Sequence, residues 1–187
     1  MKTILNKILI FTLVASSFLF VDTNKSHAAS GYQGYAVYRD GVFWNMTWHA
    51  GIMNKESARE EIMNPIIHHS GSGVVKTTTL KGFINGETFK GVYRPMIAPT
   101  SAQRDLIVAK ARELVQENIK YNVAYQVYYS TNSAGTYVSA DEITSMRCDG
   151  VVEYLYEWFN FRVYGDSRWD VTKNNISNRD AHSLTFV

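Results

Sequence analysis

One cysteine and five histidines carry the nucleophilic and acid–base potential of this 187-residue sequence. Cys148 has no second cysteine to pair with, so no disulfide can form within the chain. A lone thiol outside the cell is buried, paired between chains or used, and a buried cysteine acting as a small hydrophobe is the plainest of these. The residues after Cys148 favour use. Cys148-Asp149-Gly150 leads into Val151, Val152, Leu155, Trp158 and Phe159, which recur at helical spacing and form one apolar face. Cys148 therefore sits at or just before the first turn of a buried helix. Unpaired backbone N–H groups and the positive end of the helix dipole favour a thiolate there, with its pKa lowered. A thiolate so placed attacks carbonyl carbon.

Such a nucleophile needs a base, and beyond His27 four histidines remain: His49, His68, His69 and His182. His182 lies in the polar stretch Asn178-Arg179-Asp180-Ala181-His182 and is expected to be exposed. The other three sit in β-rich runs. From 42 to 53, Val42, Trp44, Met46, Trp48, Ala50 and Ile52 alternate with Phe43, Asn45, Thr47, His49 and Gly51. That period of two predicts one half-buried strand with His49 on its less apolar face. A histidine satisfied by a neighbouring carbonyl is the structural alternative at this position. Pro65-Ile66-Ile67-His68-His69 predicts a second strand, and Ser70-Gly71-Ser72-Gly73 a turn into Val74-Val75-Lys76-Thr77-Thr78-Thr79-Leu80. Adjacent residues of a strand face opposite ways, so only one of His68 and His69 can share a site with His49.

The positioning elements complete one domain. A strand is predicted over 88–94, closed by Pro95. A helix is predicted over 100–119, with Thr100 and Gln103 as a capping box and Ile107, Ala111, Leu114 and Val115 as its apolar face. Residues 121–137 read as a tyrosine-rich irregular stretch, and 161–187 as a loop plus a closing strand over 183–187.

The motifs resemble a known family. Trp48-His49-Ala50-Gly51-Ile52-Met53 resembles the His-x-Gly-Ile strand of the NlpC-type cell-wall cysteine peptidases. Ile66-Ile67-His68-His69-Ser70 is similar to the next strand of that family, which often bears the third polar residue. Arg147-Cys148-Asp149-Gly150-Val151-Val152 resembles its Asp-Cys-Ser-Gly-apolar-Val nucleophile motif. Histidine precedes cysteine by about a hundred residues, the order of the circularly permuted branch, which also holds lecithin-retinol-acyltransferase-like enzymes. The resemblance covers residues 42–160. It implies an α+β, papain-like fold, with a central antiparallel β-sheet or half-barrel packed against the nucleophile helix. It implies Cys148 as nucleophile, His49 as base and His68 as the group that fixes the His49 tautomer, with Asn45 and Thr77 as substitutes for His68. The Cys148 N–H is the expected oxyanion donor, assisted by Tyr121, which is similar to the tyrosine that precedes the cysteine in permuted relatives. Two positions depart from the motif: Arg147 stands where aspartate is usual, and Asp149 where serine is usual.

Composition agrees with one exported, folded domain. The chain is 45% apolar, with 12 tyrosines and four tryptophans, which excludes a disordered tail. Lys2 and Lys7 precede an apolar run to Val21, and small residues follow at Ser26, Ala28 and Ala29. Residues 1–28 thus read as a secretory signal peptide, and 29–187 as a single domain. The run is shorter than the roughly 20 residues a membrane span needs. Residues 1–28 hold three lysines and one aspartate of the chain's 19 basic and 17 acidic residues, so the remainder carries 16 of each and is formally neutral. That balance gives no sign of a nucleic-acid partner.

The expected function is a secreted or cell-wall-associated cysteine hydrolase, a monomer without cofactor, acting on amide bonds of peptidoglycan peptides. Three alternatives stand beside it: an inactive secreted binding domain of the same fold; an acyltransferase or lipid amidase; and a zinc site of His49, His68 and Cys148, which lacks the short ligand spacings of such sites.

Overall fold

A computed structural model describes residues 30–42, 47–59, 62–129, 138–161 and 184–187. The expected signal peptide, Asn45 and His182 lie outside the described residues. Strand β1 (Ala36–Val42) pairs antiparallel with β2 (Thr47–Met53), Arg39 opposite His49 and Val42 opposite Thr47. The single strand expected over 42–53 is therefore two strands. Alternation continues through 42–53 because a period of two reports which face a residue takes, not whether the chain has reversed.

Strands β3 (Ile66–His69) and β4 (Val75–Thr78) extend the sheet on one side. On the other side lie β5 (Phe89–Pro95) and β9 (Leu184–Phe186). The order is β4-β3-β2-β1-β5-β9, with every neighbouring pair antiparallel. A second sheet has the order β6-β8-β7, formed by β6 (Lys120–Tyr121), β7 (Val127–Tyr129) and β8 (Ile143–Met146). A bridge between Val74 and Lys120 ties it to the end of β4. The stretch read as irregular from 121 thus contains β7 and the end of β6.

Among the described residues three α-helices accompany the main sheet. The short α1 (Leu80–Ile84) is capped by Thr79, whose hydroxyl accepts from the Gly82 N–H at 3.1 Å. The α2 helix (Ser101–Gln116) begins with the expected capping box: the Thr100 hydroxyl accepts from the Gln103 N–H, and the Gln103 side chain accepts from the Thr100 N–H. The α3 helix spans Cys148–Trp158.

One face of the main sheet carries Ala36, Tyr38, Ala50, Ile52, Ile67 and Val75 into a core with Ile107, Ala111 and Leu114 of α2 and Val151, Val152 and Leu155 of α3. The opposite face gathers Val37, Met53, Ile66 and Val92 around Phe83 of α1. This is a mixed α+β fold with an antiparallel sheet. α3 differs from the one-sided helix its apolar stripe predicts, since every residue from Cys148 to Glu157 is buried, Glu153 and Glu157 included. Sequence spacing finds the most apolar face of a helix, whereas neighbours on several sides decide how much of it meets water. No helix among the described residues is long and apolar enough to cross a membrane.

Candidate active site

Cys148 is the first residue of α3 and is 6% exposed. The turn entering α3 is held by the Arg147 N–H, which donates to the Gln126 carbonyl at 3.0 Å. Gly150 is needed at this approach, because a Cβ there would lie 2.0 Å from the same carbonyl oxygen. Arg147, the cap residue, makes no capping bond with its side chain. Its guanidinium grips Asp149 in a buried, two-bonded pair, Nε to Oδ1 at 2.8 Å and Nη2 to Oδ2 at 2.5 Å. The two departures from the nucleophile motif thus neutralise each other on either side of Cys148.

His49 lies on β2 and His68 on β3, and the β2–β3 ladder sets Gly51 opposite His68. His49 and Gly51 share a face, so His68 is the diagonal neighbour of His49. The ring atoms His49 Nε2 and His68 Nδ1 are 2.7 Å apart. Phe83 closes over both rings, at 5.2 Å from His49 and 5.4 Å from His68 between centroids. His69 turns to the other face, where its Nε2 meets the Ile119 carbonyl at 3.2 Å and its ring packs on Tyr121. Thr77 pairs with Ile67 and so takes the face opposite His68, away from His49.

A pocket of about 270 Å³ brings the parts together. Arg39, Gly41, His49, Ser70, Gly71, Tyr121, Val123 and Cys148 line it. His49, Cys148 and Tyr121 thus border one space, His49 rising from the sheet face that Phe83 covers, with His68 behind it, and Cys148 from the helix on the opposite face. Arg39 is not signalled by the sequence pattern. Its position opposite His49 across β1 and β2 puts both side chains on one face, a register that only the folded sheet reveals.

The charge state differs from the thiolate and imidazolium expected from the helix end alone. Burial, and then the Asp149 carboxylate, push the Cys148 thiol up to about 11. The backbone amides of Ala50 and Asp149 and the Arg147 charge pull the other way without overcoming this. Burial also holds His49 well below the usual imidazole range, helped by His68, Arg39 and His69. His68 is held down to about 3 by burial and by the charges of Lys76, Arg39 and His69. At neutral pH the site therefore rests as a neutral thiol and two neutral imidazoles.

Two neutral histidines sharing one hydrogen bond have a defined division of labour. If His49 donates from Nε2 to His68 Nδ1, His49 Nδ1 has a lone pair and can accept a proton. The reverse donation would put the His49 proton on Nδ1 and remove that capacity. Base chemistry by His49 requires the first tautomer. The depressed pKa keeps His68 neutral, and its Nδ1 accepts when the His68 proton sits on Nε2, a buried atom that has no hydrogen-bond partner among the described residues.

The described residues contain no group of three His, Cys, Asp or Glu side chains arranged to hold a metal ion. No family model, curated protein or solved structure matches the chain.

Proposed function

We propose that this chain is a secreted cysteine hydrolase that cleaves amide bonds in peptidoglycan peptides, on a papain-like fold with the circularly permuted NlpC-type order. The observation that carries the reading is that Cys148, heading a buried helix, and His49, braced by His68, line one pocket. The resemblance of the His49, His68 and Cys148 motifs supplies the substrate class, and the apolar run within residues 1–28 supplies export.

In the reaction, His49 Nδ1 takes the thiol proton as Sγ attacks the scissile carbonyl carbon. His68 accepts from His49 Nε2–H and steadies the imidazolium that forms. Cys148 opens α3, so its backbone N–H lacks a partner within the helix and faces the developing oxyanion, with Tyr121 alongside. His49 returns the proton to the leaving amine, the carbon–nitrogen bond breaks and a thioester remains. Water, deprotonated by His49, then releases the acid and restores the thiol. Proton transfer within the encounter suits a resting pair that is neutral.

The test is release of new amino groups from purified peptidoglycan. Wild-type protein should release them, and Cys148→Ala and His49→Ala should not. Release by Cys148→Ala at the wild-type rate would overturn the reading. The raised thiol pKa favours a second reading, a secreted domain that binds peptidoglycan without cleaving it. Its signature is binding by wild type and Cys148→Ala alike, with no amine released by either.

A further inference from the structure

The pocket beside Cys148 carries a cation that the hydrolase reading leaves unused. Arg39 is 8% exposed, yet its side chain lines the pocket together with Cys148 and His49. Its guanidinium is fixed from behind: Nε donates to the Phe83 carbonyl and Nη1 to the Asp40 carbonyl, both at 2.5 Å. These acceptors hold the group in place but carry no full negative charge. Among the described residues no carboxylate lies within 4.0 Å of it, since Asp40 pairs with Lys90 and Asp149 with Arg147. Glu87 is the acid whose charge reaches Arg39, and it forms no ion pair with it among the described residues.

None of the eight lining residues is acidic. Both site histidines and the thiol are neutral at neutral pH, so Arg39 is the charged residue of the lining, and the Glu87 carboxylate packs against Gly41 of the wall and attracts it through space. A buried cation with no carboxylate in direct contact is costly, and a pocket that keeps one is complementary to an anion. A guanidinium fixed at Nε and Nη1 still presents Nη2, which has no partner among the described residues. A carboxylate is the anion whose charge and hydrogen-bonding geometry this group best matches.

We propose that Arg39 is the specificity residue of this pocket and holds a carboxylate that the substrate carries close to its scissile amide. This rests on the hydrolase reading, and it narrows the substrate to acidic peptides. Arg39 binds and orients the anion, while proton transfer stays with His49.

The test compares alkylation of Cys148 by iodoacetate and by iodoacetamide, which differ in one carboxylate. In wild-type protein the ratio of the two rates should exceed the free-cysteine ratio by about tenfold, the scale of one charge-assisted bond. In Arg39→Gln the ratio should fall to the free-cysteine value, and Arg39→Lys should keep part of the preference. Equal ratios in wild type and Arg39→Gln would overturn the proposal. Circular dichroism and melting of each variant identify any that fail to fold, because Arg39 also ties β1 to α1. Inertness of Cys148 to both reagents would count against the hydrolase reading alone. The carboxylate site is then read without chemistry, by titrating N-acetylalanine and N-acetylalaninamide in calorimetry. Wild type should prefer the acid by about tenfold and Arg39→Gln should not; equal affinities in wild type would overturn the proposal.

Discussion

His68 stands directly opposite Gly51 across the β2–β3 ladder, and its side chain reaches His49 over the space that a side chain on Gly51 would fill. A Cβ on Gly51 would lie 3.1 Å from the His68 Cβ and 2.9 Å from the Ile67 carbonyl oxygen. The glycine of the His-x-Gly pattern thus has a steric reason that does not depend on a turn. Gly51→Ala should displace His68 from His49 and cost about 1–3 kcal/mol of stability as overpacking. Amide release should fall further than stability explains, because His49 loses the acceptor that fixes its tautomer. Imidazole proton resonances and turnover of the folded variant check this. A retained His49–His68 bond at the wild-type rate would refute it.

Gly150 is constrained more severely, its added Cβ meeting the Gln126 carbonyl oxygen at 2.0 Å. That contact is with backbone at the entry to β7, so no side-chain rotation relieves it. Gly150→Ala should destabilise at the upper end of the range for overpacking, about 3 kcal/mol, and should move the first turn of α3. Urea denaturation measures the first effect and the rate of Cys148 alkylation the second.

The pair Arg147–Asp149 makes opposite predictions for stability and for reactivity. Asp149→Asn takes the carboxylate away from a buried, two-bonded guanidinium and should cost about 3–5 kcal/mol. It also removes a negative charge that disfavours the thiolate, so the Cys148 pKa should drop from its starting point of about 11. Alkylation rate against pH, measured with the folded fraction, separates the two effects. An inflection that does not move, or that rises, would contradict the assigned role of Asp149.

The parts of the site legible in the sequence are those governed by local pattern. Thr100 and Gln103 mark a helix start because the capping bonds are made within three residues. Cys148 is recognisable as the head of α3 from the apolar spacing after it. His68 and His69 must part company by alternation alone, and they do, with His68 at His49 and His69 at Ile119. Other features depend on residues distant in sequence. Arg39 joins the pocket through the β1–β2 register, which no property of Arg39-Asp40-Gly41 announces. Phe83 covers the histidine pair from a five-residue helix too short to show a period. The thiol pKa is legible only in its local half: the helix end and Arg147 favour the thiolate, but burial by β2 and its neighbours outweighs them.

The same burial makes the fold sensitive to mild acid. His49, His68 and His69 all have native pKa values below the ordinary 6.5, with burial the first cause in each. Unfolded chain therefore takes up protons below pH 6.5 that the native site refuses, so stability is full above that value and falls as pH drops toward the folded pKa values. For His68 the window runs from 6.5 down to about 3. Each such histidine contributes a slope of up to about 1.4 kcal/mol per pH unit. Carboxylates titrate mainly below about pH 5, so the interval between about 5 and 6.5 isolates the histidines. Urea midpoints across that interval should decline in wild type, and His68→Gln, which has no imidazole to protonate in the unfolded chain, should decline less steeply. A wild-type stability that is flat there, or that rises as pH falls, would mean the two rings accept protons in the folded state and would remove the neutral pair on which His49 depends as a base.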